Sequence, residues 1–238
     1  MKVDILAIGV HPDDIELGCG GTIAHHLKLG KSVALVDLTQ GELGSRGSAQ
    51  LRLKEAEKAK NYFGVKHREN LGMADGFFQH TKENIIKIVE VVRKYQPEIV
   101  LANALSDRHP DHGRAAKLIS DACFTAGLRR VETKRNGENQ THWRPKAVYH
   151  YIQDHNLKPD LVVDITDSID EKMGAIMCFS SQFYDPESKE PKTPISGKDF
   201  LDFVKAKAAS YGRHIGVEYG EGFNVTRDVG VNNLFDLI

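Results

Sequence analysis

Two short segments of the chain carry side chains of the kinds that bind metal ions and transfer protons. They are His11-Pro12-Asp13-Asp14 and His109-Pro110-Asp111-His112. Each comes after a buried-strand pattern, either directly or at the end of the loop that leaves the strand. Ligands of open α/β sheets bind beyond the carboxyl ends of the strands, so both segments lie where a site is expected. The proline in each segment fixes the backbone beside a histidine and lowers the cost of ordering a ligand set.

Together the two segments supply a ligand set for a catalytic metal ion. Catalytic zinc usually takes three His or Asp/Glu ligands and keeps a fourth position open for water, whose pKa falls to about 7. His11 and Asp14 lie at a turn that enters a helix, and His112 can complete the set from the second segment. We therefore predict a zinc site at His11, Asp14 and His112. The pattern does not distinguish zinc from iron(II).

The remaining polar residues of the two segments have types that suit proton transfer. Asp13, beside a ligand, is the natural general base. His109, if protonated, would stabilise the oxyanion of a tetrahedral intermediate, and Asp111 would orient one of the imidazoles. The alternative is that each segment is a loop in which Asp13 or Asp111 caps the following helix. Two such segments with complementary ligands favour the metal site.

The elements that must position these segments alternate through the first half of the chain. Apolar runs predict strands, and apolar residues at helical spacing predict helices. The strands cover 3–9, 32–38, 65–71 and 98–104, and the helices cover 20–29, 51–63, Thr81 to before Pro97, and about 112–126. This alternation predicts an α/β fold with a mostly parallel sheet and helices on both faces.

The second half of the chain is less regular. Strands are predicted over 147–152 and 161–165, and helices over 169–179 and 199–211. We expect loops over the polar stretch 127–145 and the proline-rich stretch 181–197, and a Gly- and Asn-rich tail from Gly216. Because we find no internal repeat and no long linker, residues 1–238 are predicted to form a single domain.

Composition excludes several classes of protein. The 32 Lys and Arg residues nearly cancel the 33 Asp and Glu residues, so no strong field would hold nucleic acid or an anionic membrane. No stretch approaches the roughly 18 apolar residues of a membrane span, and no signal peptide is evident.

Three cysteines without CxxC spacing argue against a zinc ribbon and suit a reducing cytosol. The expected location is the cytoplasm. A GxSxG nucleophile elbow is absent, which argues against a serine hydrolase.

The sequence resembles the LmbE-like, or PIG-L-like, deacetylase family. The resemblance rests on HPDD after the first strand, the glycines and helix that follow it, and HPDH later in the chain. It implies a Rossmann-like α/β fold and zinc-dependent removal of an acetyl group from an N-acetylglucosamine compound. It also implies a homo-oligomer, for which a hexamer is one candidate. For the two segments it implies the roles already assigned from chemistry.

Within that family the chain looks closest to the bacillithiol-biosynthesis deacetylases, which act on N-acetylglucosaminyl malate. The stretches that suggest this are Asp37–Glu42, Arg52 with Glu55-Ala56, Asp107–His112, Ser181-Gln182-Phe183 and Gly220–Phe223. The resemblance places Arg52 near the substrate, where its guanidinium would hold a malate carboxylate in two hydrogen bonds. Arg108 is a second such candidate. The alternative for Arg52 is an exposed helix arginine paired with a nearby glutamate.

Three other functions stay open at this point. The first is deacetylation of another N-acetylglucosamine compound, such as a chitooligosaccharide or an inositol conjugate. The second is a nucleotide-sugar glycosyltransferase with Asp13 and Asp14 on a Mg²⁺ or Mn²⁺ ion, although the histidines count against it. The third is a Rossmann-like module that binds a dinucleotide near Gly18–Gly21 and Asp37, although the GxGxxG spacing is absent.

Overall fold

The structure, a computed structural model, describes residues 1–237 apart from the side chain of Asp236. In chain order, strands β1 to β9 are Ile5–Gly9, Val33–Thr39, His67–Met73, Ile99–Ala102, Lys134–Arg135, Glu138–Asn139, Ala147–Tyr151, Leu161–Asp164 and Gly220–Val225. Helices α1 to α6 are Asp14–Lys28, Ala49–Phe63, Lys82–Tyr95, Pro110–Ala126, Ile169–Ile176 and Lys198–Ile215. Short 3₁₀ turns lie at Thr166–Ser168 and Leu234–Asp236.

A seven-stranded sheet runs through the molecule in the order β3-β2-β1-β4-β7-β9-β8. The first five strands in this order, β3, β2, β1, β4 and β7, are parallel to one another. Strand β9 is antiparallel to both β7 and β8. The predicted α/β fold with a mostly parallel sheet is confirmed. Strands β5 and β6 form a separate small hairpin.

Both faces of the sheet are buried, as the unbroken apolar run of β1 requires. Leu6 and Ile8 point into a core that includes side chains of α3 and α4. Ile5 and Ala7 point to the other face, where the core includes side chains of α1. Successive side chains of a strand alternate between faces, so β1 anchors both layers.

The strand order reverses beside β1, and this reversal positions the site. The chain passes from β1 to β2 and β3 on one side, then returns to place β4 on the other side of β1. The loops leaving β1 and β4 therefore part at their carboxyl ends and open a crevice between them. His11 follows β1 directly, and His109 caps the helix that follows β4.

The structure differs from the sequence expectations at three places. Helix α1 begins at Asp14 rather than near Gly20, with a break at Cys19 (φ −144°, ψ 20°). Within the Gly- and Asn-rich tail, for which no strand was predicted, Gly220–Val225 forms β9. The expected loop 127–145 contains the β5–β6 hairpin, whose turn places Asn136 and Gly137 at positive φ. Asn-Gly is the pair that favours such a two-residue turn.

Among residues 1–237, no helix combines the length and the apolar character that crossing a bilayer would require.

Candidate functional site

Asp14 is held rigidly at the point where β1 passes into α1. Its Oδ2 accepts hydrogen bonds from the backbone N–H groups of Val10 (3.1 Å) and His11 (3.0 Å) and from Asn103 Nδ2 (3.0 Å). Its Oδ1 lies 3.2 Å from His112 Nε2. Gln153 Nε2 also donates to Oδ1, at 2.7 Å. One carboxylate oxygen is thus used mainly by the protein, and the other faces a predicted ligand.

The three predicted metal ligands lie close together, with His112 and His11 beside different oxygen atoms of Asp14. Ligands about 2.1 Å from zinc stand about 3.4 Å apart in a tetrahedron. His112 Nε2 lies 3.2 Å from Asp14 Oδ1, and His11 Nδ1 lies 3.6 Å from Asp14 Oδ2. His109 joins the same cluster, because His11, His109 and His112 have ring nitrogens within 4.8 Å of one another.

Carboxylates outside this cluster hold the second ring nitrogen of both predicted histidine ligands. Asp107 Oδ2 lies 2.5 Å from His112 Nδ1, and Asp75 Oδ1 lies 2.9 Å from His11 Nε2. Asp111 Oδ2 is farther, at 3.7 Å from His11 Nε2. A carboxylate on one nitrogen fixes the tautomer and directs the other nitrogen to a metal.

Sequence reasoning assigned no role to Asp75 or Asp107. Asp75 follows β3 and Asp107 follows β4, so both leave the same edge of the sheet as His11. An acidic residue just beyond the end of a parallel strand is the signal that could have found them. Asp111, the predicted orienting residue, accepts hydrogen bonds from Gly76 N (2.9 Å) and Arg114 Nη1 (2.8 Å).

The charges of the cluster favour protonated histidines opposite ionised aspartates. Burial lowers the pKa of His112, but Asp14 and Asp107 outweigh it and raise that pKa to about 9. Burial also lowers the pKa of His11, but the neighbouring aspartates outweigh this effect and raise that pKa well above its usual value. For Asp14, burial acts to raise the pKa, yet His112 and His11 hold it well below its usual value. A bound cation would replace these protons on the ring nitrogens.

Asp13 has a strained backbone and an altered acidity. Its φ of 129° and ψ of −23° lie outside the common regions for a residue with a side chain, a strain that costs about 1–3 kcal/mol and is concentrated at functional sites. The carboxylate is buried and accepts a hydrogen bond from Arg52 Nη2 at 3.0 Å. Burial raises the pKa of Asp13 to about 7, although Arg52 opposes the rise. A carboxyl group with a pKa near 7 suits general base catalysis at neutral pH.

The structure places Arg52 behind Asp13 on α2. Besides Asp13, its guanidinium donates to Pro12 O at 2.8 Å and to Gly41 O at 3.4 Å. The expected alternative, an exposed helix arginine, is wrong, because Arg52 is 5% exposed. Its predicted contact with substrate stays a prediction. Arg108 is half-exposed at the cavity and pairs with Asp154.

His109 caps α4 and faces the two histidine ligands. Its Nδ1 accepts a hydrogen bond from Asp111 N at 3.3 Å, which leaves the proton of the neutral ring on Nε2. The ring stacks on His112 with centroids 5.2 Å apart. Burial, together with His11 and His112, lowers the pKa of His109. The structure therefore favours a neutral His109 that donates from Nε2 over the protonated form considered from sequence.

A cavity of about 350 Å³ opens over these residues. This volume is within the range of small-molecule sites, which is about 300–1,000 Å³. Besides the cluster, its lining includes Leu43, Gln153, Ile195, Phe203 and Lys207. The site therefore combines a polar floor with an apolar flank from α6.

The dinucleotide alternative fails at the break in α1. The backbone N–H groups of Gly21 and Thr22 donate to the carboxylate of Glu221 on β9, at 3.0 and 2.7 Å. This protein carboxylate occupies the place that a phosphate takes at a helix N-terminus. A Cβ atom on Gly18 would lie 2.1 Å from the Tyr151 ring, so this glycine serves close packing of α1.

Most of the comparisons with known proteins point to one group. The family model described as PIG-L, GlcNAc-PI de-N-acetylase, matches residues 6–123. Diacetylchitobiose deacetylase of Thermococcus kodakarensis is 31% identical over 230 residues, which cover 92% of this chain and 81% of that protein. The structure of a conserved protein from Thermus thermophilus superposes with a TM-score of 0.85 and 33% identity, covering 96% of this chain and 97% of that chain. A 4-oxalmesaconate hydratase of Pseudomonas putida is also similar, 29% identical over 74% of this chain and 73% of that protein.

Proposed function

Because this chain belongs to the PIG-L, or LmbE-like, family of deacetylases, we propose that it is a zinc-dependent hydrolase acting on an N-acetylglucosamine conjugate. The substrate we propose is N-acetylglucosaminyl L-malate, as in bacillithiol biosynthesis. One observation carries the chemistry: two imidazoles, each oriented by a carboxylate, and Asp14 converge beside the buried base Asp13.

The donor set fits zinc better than magnesium. His11 and His112 offer nitrogen atoms and Asp14 offers an oxygen atom, whereas Mg²⁺ and Mn²⁺ prefer oxygen ligands alone. This preference also argues against the metal-dependent glycosyltransferase. Iron(II) accepts the same ligands, so we keep it as the alternative ion in the cell.

The residues of the site divide the work of amide hydrolysis. A metal ion bound at the histidines would lower the pKa of a water molecule and polarise the acetamide carbonyl. Asp13 accepts the proton of the attacking water and returns it to the amine nitrogen when the C–N bond breaks. His109 donates its Nε2 proton in a hydrogen bond to the developing oxyanion. The products are acetate and the free amine.

The malate assignment rests on the sequence resemblance and on two arginines at the cavity. Arg52 and Arg108 line it, and guanidinium groups bind carboxylates well. Relatives bear names that refer to other N-acetylated sugars, among them diacetylchitobiose and an inositol conjugate. Deacetylation of one of those compounds is therefore the alternative.

Location and assembly follow from the same proposal. We place the protein in the cytoplasm, because Cys19, Cys123 and Cys178 are free thiols that suit a reducing compartment. The homo-oligomer implied by the family resemblance, a hexamer being one candidate, stays a prediction.

The test is release of free amine from N-acetylglucosaminyl malate by metal-stripped protein, with and without added zinc. We expect turnover that zinc restores and that exceeds turnover of free N-acetylglucosamine. Turnover of chitooligosaccharides but not of the malate conjugate would retain the deacetylase and reject the malate assignment. Bound zinc without turnover of any acetylated aminosugar would overturn the proposal.

A further inference from the structure

Two loops from distant parts of the sequence meet on one side of the cavity. Leu43–Ser45 lie between β2 and α2 and line the cavity. Thr193–Ile195 line it from the stretch between α5 and α6. We call residues 181–197 the wall segment. It contains no helix or strand of its own, so its position depends on contacts with the rest of the protein.

A buried arginine fastens the wall segment at three separate points. Arg46 is 5% exposed and follows the cavity residues Leu43–Ser45. Its Nε donates to Ser181 O (2.7 Å), its Nη2 to Ser188 Oγ (2.9 Å) and its Nη1 to Pro191 O (3.0 Å). A guanidinium group is planar and rigid, so three such bonds define one arrangement of the segment.

Further contacts tie the start of the wall segment to the same region. Gln182 Nε2 donates to Arg46 O at 2.9 Å. Gly47, at a φ of +68°, leaves room for Ser181, because a Cβ atom there would lie 2.9 Å from Ser181 Oγ. Two loops that both line the cavity are therefore joined directly to each other.

Helix α2 adds a second clamp. Glu55 accepts hydrogen bonds from Ser181 N (2.7 Å) and Ser181 Oγ (2.6 Å). Arg52, one helical turn earlier, holds the carboxylate of Asp13. The same helix thus positions the proposed base with one residue and the wall segment with another. This accounts for two motifs that the deacetylase chemistry itself leaves unused, Arg52 with Glu55-Ala56 and Ser181-Gln182-Phe183.

We propose that Arg46 and Glu55 are positioning residues that set the wall segment against the substrate beyond its acetamido group and so determine which conjugate binds. The inference rests on the proposed deacetylase function. In the proposed reaction the acetamido group lies at His11, Asp14 and His112. The rest of the conjugate must then contact other parts of the cavity surface. Ordering a loop costs conformational entropy. When the protein orders the loop before the substrate binds, that entropy cost is not subtracted from the binding free energy.

The experiment compares Arg46→Ala with Arg93→Ala. Arg93 is a matched control, because it is 4% exposed and fastens another loop through Ala126 O (3.0 Å), Leu128 O (3.0 Å) and Thr133 Oγ1 (2.8 Å). It does not line the cavity described above. Both variants lose a buried arginine, so both should lose stability.

For Arg46→Ala we expect the KM for the conjugate to rise about tenfold or more, because the binding surface is no longer preorganised. The kcat should stay within about threefold of wild type, because the proposed base is unchanged. The KM of Arg93→Ala should stay at the wild-type value. Backbone hydrogen exchange should accelerate over 181–197 only in Arg46→Ala. Arg46→Lys, which keeps the charge but lacks the planar guanidinium fork, should have an intermediate KM.

Equal KM values in Arg46→Ala and Arg93→Ala would overturn the inference, as would unchanged exchange over 181–197. If Arg46→Ala does not fold, Arg46→Lys and Glu55→Gln carry the same comparison. Wild-type protein that releases no amine from any acetylated aminosugar would overturn the proposed function instead. The exchange measurement would still decide whether Arg46 holds the wall segment.

Discussion

Asp13 and Asp14 are adjacent carboxylates that the fold places in different surroundings. Asp14 faces His11 and His112 and has a pKa well below its usual value, so it stays ionised. Asp13 accepts a hydrogen bond from Arg52, and burial raises its pKa to about 7 although Arg52 opposes the rise. These different surroundings support the roles that we propose for the two residues, a metal ligand for Asp14 and a proton acceptor for Asp13.

This division of roles predicts different effects from two conservative substitutions. Asp13→Asn should retain stoichiometric zinc but lower kcat by about 10²-fold or more, because it removes the base and no ligand. Asp14→Asn should lose zinc affinity as well as turnover. Metal analysis of the purified variants and amine release measure the two properties separately. Loss of stoichiometric zinc from Asp13→Asn would contradict the assignment.

The carboxylates behind the histidines give a second prediction. Asp75→Asn and Asp107→Asn should each weaken zinc binding by about 10- to 100-fold, because they no longer fix the tautomer and orientation of His11 and His112. Competition with a chelator measures the affinity. Asp121→Asn is the control, since Asp121 contacts an exposed histidine, His80, away from the site. Wild-type zinc affinity in both site variants would show that these contacts do not support the metal.

The candidate site could be predicted from sequence only where its residues are adjacent in the chain. His11, Asp14 and His112 lie in compact segments, and the structure brings them together. Asp75 meets His11 only because β3 ends at the same edge of the sheet as β1. The sequence around a single aspartate in a loop does not indicate which residue it contacts until the strand order is known.

Among the elements, α1 shows how a distant strand stabilises a broken helix. Because of the break at Cys19, the N–H groups of Gly21 and Thr22 donate hydrogen bonds to the carboxylate of Glu221 on β9 rather than to helix carbonyl groups. Lys172 on α5 neutralises that carboxylate at 2.5 Å, and both side chains are almost fully buried. One ion pair thus joins α1, α5 and β9.

Glu221→Gln should therefore destabilise the protein by about 3–5 kcal/mol, because it leaves the buried Lys172 charge without its counter-ion. Equilibrium unfolding in urea measures the difference. Glu98→Gln is a matched control at an exposed pair with Lys146, where solvent screens the charges and the expected loss is much smaller. Equal losses in the two variants would mean that Lys172 finds another partner or takes up water.

The elements themselves could be predicted where side-chain pattern decides the structure. Most strands and helices of the first half have strong apolar patterns and form close to the expected positions, whereas α1 begins at Asp14 rather than near Gly20. Strand β9 was missed because Gly220 and Gly222 lack side chains with strand propensity. Close packing accounts for both glycines, because a Cβ atom on Gly220 would lie 2.6 Å from Val162 Cγ1 and one on Gly222 would lie 3.2 Å from the Tyr211 ring. Such a packing requirement is not visible in a local pattern.

At the scale of the whole molecule, charged side chains join elements that lie far apart in sequence. Glu69 on β3 accepts hydrogen bonds from Lys94 and Tyr95 at the end of α3 and from Arg135 on the β5–β6 hairpin. Burial acts to raise the pKa of Glu69, but these three partners lower it to about 2. The edge strand, a helix and the hairpin therefore share one ionised carboxylate.

This contact predicts how stability depends on acidity. The pKa of Glu69 in the folded state lies below the unfolded value of about 4.3, so the folded state favours the ionised form. Its contribution should be complete above about pH 5 and should be lost as the pH falls towards 2. The difference in unfolding free energy between wild type and Glu69→Gln should shrink over that range. Urea unfolding at a series of pH values measures it, with exposed Glu132→Gln as control. A difference independent of pH would mean that the ionised carboxylate of Glu69 does not hold these elements together.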